Sequence, residues 1–279
     1  MKATATEMMV AACSKFIKND ETVFVGVGIP LLASLCAIRT HAPNVTIVFE
    51  GGGVGPSTKR IPWTISDNPT TENAIMSTET WRLFSDTQRG FIDCGLLGAA
   101  QIDRFGNLNT SALFPDGYSF AHPKVRLPGS GGGNDIATLC KRFIVVCTMG
   151  NGRFVEKVDY ITSPGFIKGG NSRMEAGIRW GGPEGVITDK GVFRFQAESK
   201  EMYLSDIYAG GSIEEIIEMI PWKLKIAEQV GEYEISDQEV GLIRSLDPLN
   251  IFLGSKSVDT VEDFDTYYHL MMEAAQPLI

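Results

Sequence analysis

The sequence is poor in the residues that build metal centres and covalent cross-links. Its 279 residues include 5 cysteines and 3 histidines. Cys13, Cys36, Cys94, Cys140 and Cys147 form no C-x-x-C pair. An odd set scattered through apolar segments suits small buried hydrophobes of a reducing compartment. His41, His122 and His269 lie far apart, and none sits near a cysteine at metal-ligand spacing. No metal site is expected. Long apolar runs are also missing, since nothing approaches the ~20 residues that span a bilayer. Met1 to Asp20 mixes charge with apolar residues and lacks the unbroken core of a signal peptide. A soluble, cytoplasmic protein is the expectation. Basic residues number 25 against 34 acidic, a net charge of −9 without a basic run or stripe. That excludes nucleic acid or an anionic membrane as the main partner. An acidic chain can still hold an anion locally through backbone amides.

What the chain does carry is glycine, gathered into two runs. The first follows Val45-Thr-Ile-Val-Phe49, a buried strand by its β-branched and aromatic content. That strand runs into Glu50 and then Gly51, Gly52, Gly53 and, after Val54, Gly55. Missing side chains let a substrate or another backbone approach the carboxylate. The C-terminal end of a strand is where open α/β sheets place their chemistry. The competing explanation is a solvated acid that starts a glycine turn.

Upstream, Thr4 to Asn19 has a helical apolar period, with Thr4 or Thr6 as the cap. Glu21 to Val27 reads as a strand, and Pro30 suits the first turn of a helix through Leu31, Leu35 and Ile38. With the strand ending at Phe49, this makes a βαβ unit. Gly26-Val-Gly28-Ile-Pro30 lacks the third glycine of a dinucleotide fingerprint, because Leu31 stands there. Its amides at the helix start still suit a pyrophosphate or carboxylate.

Downstream, Asp67-Asn-Pro-Thr-Thr-Glu72 reads as a turn that caps a helix near Ala74 to Ser77, and Thr78 to Arg89 as a further helix. Phe91 to Ala99 reads as a strand that leads to Gln101, a hairpin turn at Asp103 to Gly106, and a polar exit through Asn107 and Asn109. Those amides either meet a ligand or satisfy loop backbone. The second glycine run, Pro128-Gly-Ser130-Gly131-Gly132-Gly133-Asn134-Asp135, opens a helix. It is no Walker loop, since no lysine follows, but its successive N–H groups suit an anion nest. Arg142 to Thr148 reads as a strand, 167–184 as a long surface loop holding Arg173 and Arg179, and 186–195 as a hairpin. Glu201 to Tyr208 is a strand, Ser212 to Met219 and Ser236 to Leu246 are capped helices, and the tail from Asp259 is acidic and then helical.

The ordered set of motifs is similar to the B subunit of glutaconate-type CoA-transferases, within the family I CoA-transferases. It comprises Gly26-Val-Gly-Ile-Pro-Leu31, Ile47-Val-Phe-Glu-Gly-Gly52, Gly98-Ala-Ala-Gln-Ile-Asp-Arg-Phe-Gly-Asn107, Gly129-Ser-Gly-Gly-Gly-Asn134, Val158-Asp-Tyr-Ile-Thr-Ser-Pro-Gly165, Val186-Ile-Thr-Asp-Lys-Gly191 and Leu242-Ile-Arg244 with Asp247-Pro248. The resemblance covers about residues 5 to 253. It implies one open, mainly parallel α/β domain over 1–253, of the type shared with some sugar-phosphate isomerases, with a β-rich C-terminal third. Residues 254–279 are left as an extension of no assigned role. It places the family's nucleophilic glutamate on Glu50, which would carry CoA as a thioester between an acyl-CoA and a short, dicarboxylic acid. The residue after that glutamate is often Ser or Ala in the family, and here it is Gly51.

CoA is implied as a substrate, with no permanently bound cofactor. Gly28, Gly51, Gly52, Gln101, Ser130, Gly131, Gly132, Gly133 and Asn134 are the expected CoA or oxyanion contacts. An A-type subunit is the implied partner, in a heterodimer that assembles further in some arrangements. A CoA-thioester hydrolase or decarboxylase on the same scaffold is the second possibility, and a non-catalytic acyl-CoA-binding subunit the third. Arg173 and Arg179 are either anion ligands or solvated loop charges.

Overall fold

Thr4 starts the fold with a capping box: its hydroxyl accepts the Glu7 amide, and the Glu7 carboxylate accepts the Thr4 amide. The computed structural model describes residues 2–57, 60–150, 152–248 and 250–254. The extension expected at 254–279 lies outside them apart from Gly254. The chain divides into two compact units, one formed by Met1–Asp86 with Ile235–Ile279 and the other by Thr87–Glu234.

In the first unit, α1 (Ala5–Ser14), β1 (Thr22–Val25), α2 (Ile29–Thr40) and β2 (Thr46–Phe49) make a helix and a βαβ crossover. β1 and β2 are parallel, with Thr22 opposite Thr46 and Val25 opposite Phe49. Val23, Phe24, Ile47, Val48 and Phe49 are all buried, as strands covered on both faces require. β3 (Gly53–Val54) and β4 (Met76–Ser77) then fold back antiparallel, Val48 against Val54 and Gly53 against Ser77. α3 (Thr80–Gln88) leads out of the unit. The last helix among the described residues, Asp237–Leu246, is capped by Ser236 and Glu239 and packs on α1 and α2.

The helix expected near Ala74 to Ser77 is not formed. Asp67 instead caps a 3₁₀ turn over Asn68–Thr70, and Asn73 turns the chain with φ 50°. A left-handed residue stops a helix from propagating, so Met76 and Ser77 reach the sheet edge as β4.

The second unit contains β5 (Cys94–Leu97), the hairpin β6 (Gln101–Ile102) and β7 (Leu108–Asn109), the pair β8 (Ala112–Leu113) and β9 (Val125–Arg126), and α4 (Gly133–Leu139). β10 (Arg142–Val146), α5 (Ser172–Glu175), β11 (Pro183–Ile187), β12 (Gly191–Phe195), β13 (Met202–Tyr208), α6 (Ile213–Glu218) and β14 (Lys225–Tyr233) complete it. The strands lie side by side in the order β14-β13-β12-β11-β10-β5. β5, β10 and β11 are parallel, as are β13 and β14, whereas β11, β12 and β13 form an antiparallel meander. The open α/β architecture and the β-rich C-terminal third are therefore present. β14 is an unexpected strand: Lys-Ile-Ala-Glu-Gln-Val-Gly-Glu-Tyr sits at the sheet edge without a buried residue. An edge strand exposed to water carries no apolar run to betray it.

The N-terminal cap is tied to the Asp237–Leu246 helix by Arg244, whose guanidinium bonds both carboxylate oxygens of buried Glu7. Burial alone would raise the Glu7 carboxyl, but Arg244 and the Thr4 amide outweigh it and hold it below the ordinary carboxylate range. A depressed folded-state pKa gives stability that is present above the unfolded value and lost as pH falls through the folded one. Glu7→Gln is therefore expected to lower the melting temperature at neutral pH. Its deficit against wild type should close as pH falls below about 4, near the unfolded glutamate value. Thermal melts across that range check this, and a deficit independent of pH would contradict it.

Candidate active site

Glu50 is the first residue beyond β2 and is half-buried. Its backbone carbonyl accepts the Thr80 hydroxyl at 3.1 Å. Its carboxylate makes no hydrogen bond or ion pair with the described residues. Because Val25 lies opposite Phe49, the register sets Gly26 beside Glu50 at the same C-terminal edge. Gly28 caps the 12-residue α2 with φ 87°, a conformation that favours glycine, and Pro30 stands in the first turn. The N–H groups of Gly28 and Ile29 have no partner among the described residues. The positive end of the helix macrodipole is thus directed to the edge where Glu50 stands.

The glycine triplet has a steric explanation. A Cβ at Gly51 would sit 2.5 Å from the Ile65 carbonyl oxygen, at Gly52 1.8 Å from that of Thr78, and at Gly53 1.7 Å from that of Thr70. Of the two possibilities in the sequence, approach of another backbone accounts for all three. The Gly52 N–H is donated to the Phe49 carbonyl at 2.9 Å, so that amide is engaged in the turn. Gly51 is exposed and its N–H has no partner among the described residues.

The remaining candidates belong to the second unit. Gln101 is 8% exposed, and its Oε1 accepts the Asn109 side-chain amide at 2.8 Å and the Asp159 N–H at 3.1 Å. Its Nε2 is left without a partner among the described residues. Asn109 Oδ1 accepts the amides of Ser111 and Ala112, and Asn107 Oδ1 those of Gly165 and Ile167. Both asparagines therefore satisfy loop backbone. Asp103 holds the turn between them by accepting the Phe105 and Asn107 amides, and burial pushes its carboxyl up.

Gly131 (φ 47°) and Gly132 (φ −78°, ψ −1°) have opposite hands, the alternation that turns successive N–H groups to one side. The Gly133 N–H is donated to Ser130 O, whereas those of Gly131, Gly132 and Asn134 have no bond among the described residues. A Cβ at Gly133 would meet Ser163 Oγ at 3.3 Å. Ser130, Gly131 and Asn134 are exposed.

Arg173 is neither an anion ligand nor a solvated charge. It is 4% exposed, and its guanidinium donates to the carbonyls of Trp180, Pro164, Gly165 and Ala137. Burial draws its pKa down to about 10. It pins the glycine-rich 167–184 segment to the body of the unit, while Arg179 is exposed. All five thiols are buried. Burial raises Cys36, and pushes Cys140 further and Cys147 up to about 12, so these offer no thiolate. His41 caps the far end of α2, bonded to Ile17 O, roughly 20 Å along the axis from Gly28 at 1.5 Å per residue. Among the described residues no group of three or more His, Cys, Asp or Glu is placed for a metal, and no helix is long and apolar enough to cross a membrane.

Sequence reasoning missed Thr80, which fixes the Glu50 carbonyl from 30 residues away, and the Ile65, Thr70 and Thr78 carbonyls that close the triplet. No local pattern marks such long-range partners.

Comparison with known proteins gives a consistent answer. Residues 6–219 match the family model "Coenzyme A transferase". The chain is 36% identical over 250 residues to the B subunit of 3-oxoadipate CoA-transferase from Pseudomonas knackmussii, covering 88% of this chain and 95% of that one. It is 33% identical over 258 residues to the B subunit of glutaconate CoA-transferase from Acidaminococcus fermentans, covering 90% and 95%. The crystal structure of glutaconate coenzyme A-transferase from Acidaminococcus fermentans superposes with a TM-score of 0.84 at 32% identity, over 91% of this chain and 99% of that one.

The steric account of the triplet is directly testable. Gly53→Ala should destabilise the chain by more than about 4 kcal/mol, the range of severe backbone clashes. Gly26→Ala, with nothing within 4 Å of the added carbon, should be nearly neutral by comparison. Urea midpoints distinguish the two, and equal midpoints would show that the triplet tolerates side chains.

Proposed function

The chain belongs to the coenzyme A transferase family, and we propose that it is the B subunit of a two-subunit CoA-transferase with Glu50 as nucleophile. The observation that carries the proposal is the Glu50 carboxylate: half-buried, at the C-terminal end of a parallel strand, and unpaired among the described residues. A carboxylate held in a salt bridge would have to break it before attacking. Glu50 has no such bond to break with the described residues.

In the proposed cycle, a Glu50 oxygen attacks the acyl-CoA carbonyl, the C–S bond breaks, and a mixed anhydride and CoA thiolate form. The thiolate attacks the Glu50 carbonyl of the anhydride, which yields a glutamyl-CoA thioester and the first carboxylate. An incoming carboxylate then attacks that thioester, expelling the thiolate and forming a second mixed anhydride; the thiolate attacks the incoming acid's carbonyl in that anhydride, which gives the new acyl-CoA and frees the Glu50 carboxylate. Each step replaces one anion with another, so no proton need move. That fits a site whose carboxylate has no histidine partner among the described residues, in a chain where burial raises the Cys36, Cys140 and Cys147 thiols. The oxyanion of each tetrahedral intermediate needs N–H donors. The amides of Gly28 and Ile29 at the α2 start, and of Gly51, are unengaged among the described residues and suit the task. The Gly131, Gly132 and Asn134 amides, with Ser130, Gly133 and the Gln101 Nε2, are proposed as CoA contacts.

The relatives' names, 3-oxoadipate and glutaconate CoA-transferase, both denote dicarboxylates, so a short dicarboxylic acid is the proposed acyl class. Both relatives are B subunits, and an A-type subunit is the proposed partner. Glu50→Gln should lower transfer activity of the reconstituted complex on the order of 10⁴-fold or more, the scale of nucleophile loss in covalent catalysis, while leaving complex assembly intact. Steady-state transfer with a series of dicarboxylic acceptors checks this, together with gel filtration. Retention of activity in an assembled variant would refute Glu50 as nucleophile.

A further inference from the structure

Arg173 is a buried cation that pairs with no carboxylate among the described residues. Its hydrogen bonds, 2.6 to 2.8 Å long, go instead to carbonyls on separate stretches of chain: Ala137 in α4, Pro164 with Gly165, and Trp180. A single carboxylate would have satisfied the charge. A planar fork shared among these carbonyls does something else, since it fixes the distances between the segments that carry them.

Two of those segments flank the Gly131 to Asn134 nest. Ala137 O lies in the last turn of α4, where helical carbonyls lack an intrahelical donor. The Lys141 N–H, which would close the next helical bond to it, goes to Ile92 O at 3.3 Å. Arg173 Nη2 donates there at 2.6 Å, and a cation suits that end of the helix dipole. On the other side, Pro164 and Gly165 follow Ser163, whose Oγ stands 3.3 Å from where a Cβ on Gly133 would be. Ser163 is 3% exposed and its hydroxyl makes no hydrogen bond among the described residues. A buried hydroxyl left open beside unengaged amides is a polar group that a ligand can complete.

The Ser163 wall is itself held firmly. Thr162 Oγ1 accepts the Thr110 N–H at 3.0 Å, and Ser163 and Leu108 exchange N–H···O bonds of 3.1 and 2.9 Å. The Gly165 N–H is donated to Asn107 Oδ1. One guanidinium therefore joins α4, which carries the nest, to the fixed wall that touches its first turn.

Resting on the CoA contacts proposed above, we infer that Arg173 is a positioning residue for CoA binding: it sets the nest against Ser163 without touching the ligand. The arginine of the glycine-rich loop then serves an anion site through backbone geometry and not through its own charge.

The test uses the complex reconstituted with the A-type partner. Arg173→Lys keeps the charge, but one ammonium cannot reach carbonyls on all these segments. It should raise KM for acyl-CoA about 10-fold, while kcat and the KM of the acceptor acid stay within about 2-fold. A role in folding alone would lower the active fraction, and hence kcat, at unchanged KM. Gly133→Ala, which presses the first turn of α4 off Ser163 and leaves Arg173 untouched, should raise KM for acyl-CoA in the same way. Hydrogen exchange of the 129–135 peptide should slow when free CoA is added to the wild-type complex, and Arg173→Lys should lose most of that protection. A folded Arg173→Lys complex with unchanged KM, or with its loss confined to kcat, would overturn the inference and leave the CoA contacts standing. Should that variant fail to fold, unchanged KM in Gly133→Ala overturns it equally. Exchange at 129–135 unaltered by CoA, in a wild-type complex that transfers CoA, would remove the nest from the CoA site and the inference with it.

Discussion

Three backbone carbonyls crowd the residues that follow Glu50, and the local structure depends on that crowding. At Gly51, Gly52 and Gly53 a side chain would have to occupy space already held by Ile65, Thr78 and Thr70. Only glycine lets the chain leave β2, reverse, and return as β3 within four residues. The reversal in turn halts the strand at Phe49 and leaves Glu50 at its C-terminal edge, level with the start of α2. A carboxylate placed one residue earlier would lie in the buried ladder, where ionisation carries a heavy desolvation penalty. Placed later, it would collide with the 65–78 segment. The position of Glu50 therefore has a steric origin.

The chemistry proposed for Glu50 asks little of the protein besides placement. Carboxylate and thiolate exchange acyl groups without proton transfer, so the site needs hydrogen-bond donors and dryness more than an acid–base pair. The amides at the α2 start provide donors that carry no side-chain entropy. All five cysteines are buried packing residues, and burial raises the thiols of Cys36, Cys140 and Cys147, so those three offer no thiolate to the proposed exchange.

Much of this was legible in the sequence because its causes are local. Val45 to Phe49 announced β2 by composition, Pro30 and Gly28 announced the start of α2, and Ser212 and Ser236 announced two capped helices that the structure contains. The family likeness was legible for another reason: several short motifs recur in a fixed order. What stayed hidden depends on distant partners. The 74–77 segment reads as helix until Asn73 turns left-handed and β3 offers an edge to pair with. Arg173 reads as a loop charge because its four carbonyl partners come from 7 to 36 residues away. The glycines after Glu50 read as room for a ligand because nothing in their neighbourhood names Ile65, Thr70 or Thr78.

The central claim is that Glu50 carries CoA during turnover. The most direct measurement is intact and peptide mass spectrometry of the complex after acyl-CoA and then borohydride, which reduces an enzyme thioester to an alcohol. The account predicts a loss of about 14 Da on the peptide containing Glu50, the difference between a carboxyl and a hydroxymethyl group, together with loss of activity. An unchanged mass, with acyl-CoA consumed in the absence of any acceptor acid, would contradict it and assign the site to hydrolysis or decarboxylation.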